Sequence, residues 1–574
     1  MPQKRTLVLL AGATVVLVLA GLVDLPGIAK LPFYTKGEPR EALVVREMAH
    51  DGGRVLPRRN GDEIPSKPPL FHWLGLASAR ALGEVSELAA RLPSAALAIA
   101  MTGLVYAFGA TAGRLRSGWL AALALTLSFE WLRAARTARV DMTFSFFVAA
   151  ALLVYAVIDR SGATKLRRLA FYACLVLAAL SKGPVGIVLP LAVVVVHALV
   201  QPVGAETSRF ALAARARRLR ATLAELGALR GLAAVLTVVG LWYVAAWASG
   251  GSAFLEMHAF RENVFRVLDA DRFDSGHSHG FFYLFGQFFL GAFPWSLLAP
   301  AVAWWLWRQR PLDGTRRLLV VWFVVIFAFF LIPESKRGVY LLPAYPAGAL
   351  LFGLVLGPGP EEPHIRRVAA AGWIAGCAVL VLAGLVVLLV ASGIPFDGFL
   401  LPRLRPAEAA ETALAFAALR DSALLSAAVA AVVVGSAAVS AREGAGAHWL
   451  RASVPLALSL LALLGGIVAP LERVIAGART FAPFLAEVRE RIGDEPLAFH
   501  GGTFDYGAVY YADRRIPRDA ASIASARYLL AFEGKDGSVP DGIGTVLLRS
   551  EGTGPKGRTR LLLVEAGAGR GAGD

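Results

Sequence analysis

LVLLAGATVVLVLAGLV, residues 7–23, is an unbroken apolar run directly behind the basic start MPQKR. A helix of about 20 such residues, rising about 1.5 Å per residue, crosses the hydrocarbon core of a bilayer. No small-residue cleavage pattern follows, so the stretch reads as a retained first membrane helix and not as a removed signal peptide. The rest of the chain has the same character. Its 574 residues are 56% hydrophobic and 17% charged, with a mean hydropathy of +0.59, which excludes an ordinary soluble globular protein.

Further apolar segments lie near 91–112, 117–134, 140–158, 167–181, 183–200, 231–249, 280–307, 318–333, 338–356, 369–392, 422–441 and 448–470, making thirteen with the first. The segment 117–134 carries Glu130 and Arg133, and only the turn SKGP separates 167–181 from 183–200. The formal net charge of +16 is not a nucleic-acid signature, because the basic residues gather in short loops such as GRLRS, DRSGATKLRR and RQRPLDGTRR. Such loops belong on the cytoplasmic side. With the N-terminus inside, thirteen crossings place residues 26–90 and the C-terminal region outside, although the outer loops are basic as well. From residue 471 onward the long apolar runs thin out, and short strand-like pieces such as ARYLLAF and TVLLRS take their place. The expected organisation is a membrane domain over 1–470 and a small outer α/β domain over 471–574. Cys174 and Cys377 sit in apolar runs without metal-ligand spacing and read as packing residues. No internal repeat is visible, which argues against a transporter built from inverted halves.

EIPSKPPLFHW, residues 63–73, sets a lysine before two prolines. Proline holds its predecessor extended and fits the first turn of a helix, so a helix starting near Pro69 would point its free N–H groups towards the region Lys67 reaches. That suits a phosphate. The predicted topology puts further ionisable residues at the same outer face: Glu38 and Arg40 in the first loop, Asp141 opening the fourth segment, Lys182 closing the fifth, and Lys336 and Arg337 closing the ninth. Charge beside a bilayer segment is by default paired, solvated or functional. Each residue has a plainer reading: Lys67, Lys336 or Arg337 snorkelling to headgroups, Arg40 pairing with Glu38 or Glu41, Asp141 capping a helix, Lys182 serving a turn. Their coincidence on one side points instead to an anionic ligand at the interface, with cations for a phosphate and a carboxylate to orient or deprotonate an acceptor.

The ordered series GEPREALVVREM, SKPPLFHWLGLASARALG, ELAARLPSA, ARTARVDMTF, SKGPVGIVLP, FRENVFRV and SKRGVYLLPAYP, spread over residues 30 to 350, resembles the bacterial membrane glycosyltransferases related to protein O-mannosyltransferases and to the aminoarabinose transferases of lipid A. The resemblance implies the C-type glycosyltransferase fold: about 13 transmembrane helices, amphipathic helices in the first outer loop, and an outer soluble domain. It also implies a sugar donor on a polyprenyl phosphate such as undecaprenyl phosphate, a lipid A, glycan or protein acceptor, and residence in the bacterial cytoplasmic (inner) membrane. Carried over by position, Glu38 and Asp141 match the family acids and Arg40 the arginine after the first. Lys67 and Lys182 match positions at the lipid phosphate, Lys336, Arg337 and Tyr340 match the basic-then-tyrosine motif beside it, and Asn263 and Arg266 correspond to the outer loop before the eighth segment. Departures are present. Gly37 precedes Glu38 where many relatives have an Asp-Glu pair, and Glu41 and Ser66 stand where aminoarabinose transferases have a tyrosine and an acid.

The reaction these residues suggest is direct displacement at the anomeric carbon with inversion. Lys67, Lys182, Lys336 and Arg337 would stabilise the leaving phosphate, and Glu38 or Asp141 would position the acceptor. No metal is required, and His258, His277 and His279 form no metal signature. The chain is expected to act as a monomer and not to bind nucleic acid. The rival readings are a transporter or flippase of lipid-linked sugars, which would place its charges near the bilayer midplane, and a noncatalytic membrane sensor.

Overall fold

A helix that is apolar all round has no solvent but lipid, and α1 (Pro2–Asp24) behaves accordingly: Leu7, Leu10 and Leu22 remain 65%, 60% and 63% exposed. The structure is a computed structural model describing residues 2–202, 211–258, 279–534, 536–555 and 559–567. Two helices on the loop side of the bundle follow, α2 (Gly37–His50) and α3 (Leu70–Leu82). Then come α4 (Glu87–Ala112), α5 (Leu115–Thr126), α6 (Phe129–Ala135), α7 (Val140–Ser161), α8 (Lys165–Lys182), α9 (Val185–Val200), α10 (Ala211–Leu226) and α11 (Ala228–Leu255). Beyond them run the bent pair Tyr283–Gly291 and Trp295–Arg308, then Gly314–Leu331, Gly338–Leu356, Pro363–Ala391, Ala423–Ala445 and the long tract from Trp449.

Nine helices among the described residues are long and apolar enough to cross a membrane, or ten if the pair bent by 107° is one span. The chain is a multi-pass membrane protein. The thirteen apolar segments of the sequence differ from this count for local reasons. Ser128 splits 117–134 into α5 and α6, α9 has only 16 residues, and α8 opens on Lys165, Arg167 and Arg168.

Small residues bring the central helices together, since lipid offers no hydrophobic drive and close contact must do the work. A Cβ on Gly118 would lie 2.4 Å from the Tyr106 carbonyl oxygen, and one on Gly353 would lie 2.2 Å from that of Ser117. Backbone cannot yield there. Gly118→Ala is therefore expected to destabilise the fold by about 1–3 kcal/mol through overpacking; thermal unfolding in detergent measures it, and an unchanged midpoint would contradict the close contact.

The helix ends sort into two faces. On one, Arg160 Nη2 donates to Thr111 O (3.2 Å), Gln201 Nε2 to Asp159 Oδ1 (3.2 Å) and Ala163 N to Glu225 Oε1 (3.2 Å). On the other, the start of α7 meets the end of α8 through Asp141 and Lys182. The 22 residues of α7 separate these faces by about 30 Å. At the second face lies a small sheet in the order β1-β2-β4-β3, from β1 (Leu497–Phe499), β2 (Tyr528–Phe532), β3 (Gly544–Arg549) and β4 (Leu561–Ala566). Strands β1 and β2 are parallel and the other pairs antiparallel. Its core is continuous with Phe33, Leu43, Phe71 and Val140, so this domain rests on the first loop and on the start of α7.

Candidate anion-binding site

Glu38 lies in the first turn of α2, where the helix dipole favours an anion, and is 1% exposed. Its Oε1 accepts from Arg91 Nε (2.7 Å) and from the Ala138 backbone N–H (3.1 Å). Its Oε2 accepts from Thr35 Oγ1 (3.2 Å) and Arg91 Nη2 (3.3 Å). Arg91 Nη1 in turn donates to the carbonyls of Ile28 (2.8 Å) and Leu31 (2.5 Å). This buried pair ties α2, α4 and the lead-in to α7 together one residue before Arg139. All the hydrogen bonds of the carboxylate are internal.

Asp141, 4% exposed in the first turn of α7, accepts from Lys182 Nζ at 2.7 Å on Oδ1 and has Arg139 Nη2 at 3.2 Å from Oδ2. Lys182 reaches it because α8 ends in a tight turn. Gly183 has φ +80°, and a Cβ on Gly186 would lie 2.3 Å from the Ala178 carbonyl carbon, so SKGPVG requires both glycines. The Lys182 ammonium also stands 4.6 Å from the Tyr340 ring centroid and 5.0 Å from that of Phe144. Arg337 and Arg40 complete the group, each within electrostatic reach of Asp141. Burial pushes the Arg337 guanidinium below its ordinary value, neighbouring Arg139 and Arg40 act in the same sense, and its Nε is buried without a hydrogen-bond partner among the described residues. Four cations thus face Asp141 and Glu41, leaving positive charge that an anion would neutralise.

Arg40 donates to Glu41 Oε1 (2.6 Å), and Glu41 Oε2 lies 2.8 Å from His72 Nε2 of α3. Burial alone would raise the Glu41 carboxyl, but the Arg40 guanidinium and the His72 hydrogen bond outweigh it and hold Glu41 well below the usual carboxylate range. A carboxylate depressed in the folded state contributes stability above its unfolded value, near about 4.3, and loses it as pH falls towards the folded one. Glu41→Gln should therefore lower the melting temperature most between about pH 6 and 8, with a difference that begins to shrink only as pH falls below about 4 and narrows steadily from there towards the folded value. A difference constant with pH would remove the ion pair from the account.

The bundle also encloses an apolar cavity of ≈ 300 Å³, lined by Phe288, Trp295, Phe323, Tyr345 and Phe352 among others. The 107° bend between Tyr283–Gly291 and Trp295–Arg308 gives it one wall. The Tyr345 hydroxyl is buried without a partner among the described residues, and a Cβ on Gly291 would sit 2.3 Å from it and 2.8 Å from Glu130 Cβ. Arg133, paired with Glu130 at 2.6 Å, acts electrostatically on both Tyr345 of the cavity wall and Asp141 of the charged group.

The C-terminal domain contributes from above. Tyr506 Oη donates to Glu63 Oε1 (2.8 Å), which also accepts from Arg59 Nη2 (2.6 Å), and the Arg59 guanidinium lies 4.8 Å from the Tyr506 ring centroid. Burial pushes the Tyr506 phenol up to about 12, which keeps it a donor at neutral pH.

The structure therefore brings Arg40, Asp141, Lys182, Arg337 and Tyr340 together at one face, with Glu38 beside them but bound to Arg91. Lys336 is 5% exposed and donates to the His279 carbonyl (3.2 Å). Lys67 is half-buried in a bend whose Pro65 carbonyl accepts from His258 Nε2 (2.8 Å); the helix after it begins at Leu70, and only an isolated bridge, Arg59 to Glu63, precedes it in place of a strand. Asn263, Arg266 and His277 lie outside the described residues. Sequence reasoning passed over Arg91 and Arg139. Arg91 had a signal, being an arginine inside the apolar segment 91–112. Among the described residues no group of three or more His, Cys, Asp or Glu side chains is placed to hold a metal ion.

Residues 63–237 match the family described as dolichyl-phosphate-mannose-protein mannosyltransferase. An uncharacterised protein of Aquifex aeolicus is 27% identical over 344 residues, covering 59% of this chain and 62% of that protein. Undecaprenyl phosphate-alpha-4-amino-4-deoxy-L-arabinose arabinosyl transferase 1 of Pseudomonas fluorescens is 24% identical over 322 residues, 55% of this chain and 52% of that enzyme. The matched stretch thus takes in little more than half of each relative. The crystal structure of ArnT from Cupriavidus metallidurans bound to undecaprenyl phosphate superposes with a TM-score of 0.71 at 20% identity, covering 98% of both chains. The chain has the C-type glycosyltransferase fold, and the resemblance carried by its ordered motifs is borne out.

Proposed function

We propose that this chain is an inverting glycosyltransferase that moves a sugar from a polyprenyl-phosphate carrier to a lipid A, glycan or protein acceptor on the outer face of the bacterial cytoplasmic membrane. In this reading the N-terminus is cytoplasmic, the sheet domain is outside, and the chain works as a monomer. One observation carries it: Arg40, Arg139, Lys182 and Arg337 gather round Asp141 at one end of the bundle, as the anionic head of a carrier requires, and the same bundle holds an apolar cavity lined by Phe288, Trp295 and Tyr345. The relatives support the same class of carrier, since one is an arabinosyl transferase acting from undecaprenyl phosphate and another was crystallised with that lipid.

The acceptor oxygen forms its bond to the anomeric carbon while the bond from that carbon to the phosphate oxygen breaks, and the electron pair leaves with the phosphate. Lys182 and Arg337 meet the charge that grows there, which is where preorganised cations lower a barrier most. Asp141 holds Lys182 and Arg139 in position and faces the acceptor. If the acceptor is a hydroxyl, its proton passes to Asp141; an ionised phosphate brings none. Glu38 acts through Arg91 as a positioning residue. Lys67 is assigned to the carrier phosphate, and so, by the sequence resemblance alone, is Arg266, which lies outside the described residues. The positive charge comes from side chains, so the scheme asks for no metal.

Charges gathered at one face, and not midway along the spans, favour this reading over a flippase. Mass spectrometry of lipid A, glycans and envelope proteins from cells with and without the gene tests it. A glycan lost with the gene and restored by the intact chain is expected; an unchanged profile with normal polyprenyl-linked sugar would overturn it.

A further inference from the structure

At the face opposite the candidate site, two hollows of ≈ 470 and ≈ 340 Å³ flank the N-terminal end of α5 and share Pro358 as a wall. Arg114, Arg160 and Arg316 line the first, and Arg116 and Arg451 the second. Arg316 pairs with Asp313 (3.3 Å), whereas Arg160 donates to the Thr111 carbonyl and has no ion-pair partner among the described residues. Asp159, the other acid in the first hollow, accepts from Gln201. In the second, His448 of the lining has Glu443 at 3.2 Å, and the 5%-exposed Trp449 has an indole N–H without a partner among the described residues.

The positive-inside preference explains arginines at helix ends but not their placement around walled hollows. Basic hollows between spans at this depth are where lipid headgroup phosphates bind. The second hollow also has an apolar side, from Leu120, Leu356 and Leu450, and Leu115 and Leu450 remain 39% and 37% exposed beside the arginines. A free phosphate has no use for such a wall; a diacyl lipid does. We infer that the two hollows form a binding site for the phosphate groups of an anionic phospholipid in the leaflet opposite the candidate transferase site. The guanidinium groups pair with phosphodiester oxygens, and the acyl chains leave past the exposed Leu115 and Leu450. The inference stands on these hollows alone and not on the proposed transfer reaction.

The test uses the full chain purified in detergent and titrated with cardiolipin, with phosphatidylcholine, or with inorganic phosphate, followed by native mass spectrometry and thermal unfolding. The parent should retain cardiolipin, and stability should rise with it. Arg116→Gln/Arg451→Gln and, separately, Arg114→Gln/Arg160→Gln should each bind cardiolipin about 25-fold more weakly, since each arginine near a lipid surface contributes about fivefold. These side chains are exposed, so the variants should fold, and matching elution profiles confirm it. The lysine versions of the same pairs should bind more tightly than the glutamine versions. Equal retention by parent and glutamine variants, or equal retention of phosphatidylcholine, would overturn the site. Inorganic phosphate reproducing the whole stabilisation would overturn the lipid as its source.

Discussion

Replacing Arg91 by methionine is expected to destabilise the folded chain by about 3–5 kcal/mol, because it leaves a buried carboxylate without its counter-charge. Glu38 is 1% exposed and keeps only the bonds from Thr35 and the Ala138 N–H after the change. Thermal unfolding in detergent should show the loss, together with a reduced yield of monodisperse protein. Replacing both partners tests the cause: Arg91→Met/Glu38→Met removes charge and counter-charge together, and such double replacements are often close to neutral. The double variant also decides the role of Glu38. A positioning residue can be lost with its partner while part of the transfer survives; a folded double variant with no transfer at all would return Glu38 to the reaction.

Lys182→Met should reduce transfer by about 10²–10³-fold, the effect of removing one preorganised donor from a developing anion. The loss belongs in kcat more than in KM, because Arg139, Arg337 and Arg40 still attract the carrier phosphate. Lys182→Arg should restore part of the rate, since charge is kept while the 2.7 Å contact with Asp141 must rearrange. Asp141→Asn leaves Lys182 and Arg139 without their common anion and should depress transfer even for an ionised acceptor. Full turnover by Lys182→Met would remove the ammonium from the leaving-group role, and the proposed mechanism with it.

Much of this site can be read along the chain, because one-sidedness follows from counting spans. Asp141 opens a segment and Lys182 closes the next, so alternation alone puts them at one face. Counting cannot say which ions meet. Glu38 and Asp141 looked alike as outer-face acids, yet one is held by Arg91 and the other by Lys182 and Arg139. Arg40 pairs with Glu41, one of the plain readings open to it, and still stands within reach of Asp141. The joint between Tyr506 and Glu63 spans 443 residues, a distance over which no local pattern operates.

The order of apolar and basic segments by itself determined that this is a multi-pass membrane protein with Asp141 and Lys182 at one and the same face, since the transfer free energy of each segment is a local property of its residues. Which carboxylate is bound to which cation, which side chains wall the apolar cavity, and how the sheet domain rests on the first loop were decided by tertiary structure alone. Those outcomes depend on close packing between helices remote in sequence, where a glycine or a buried ion pair sets the distance.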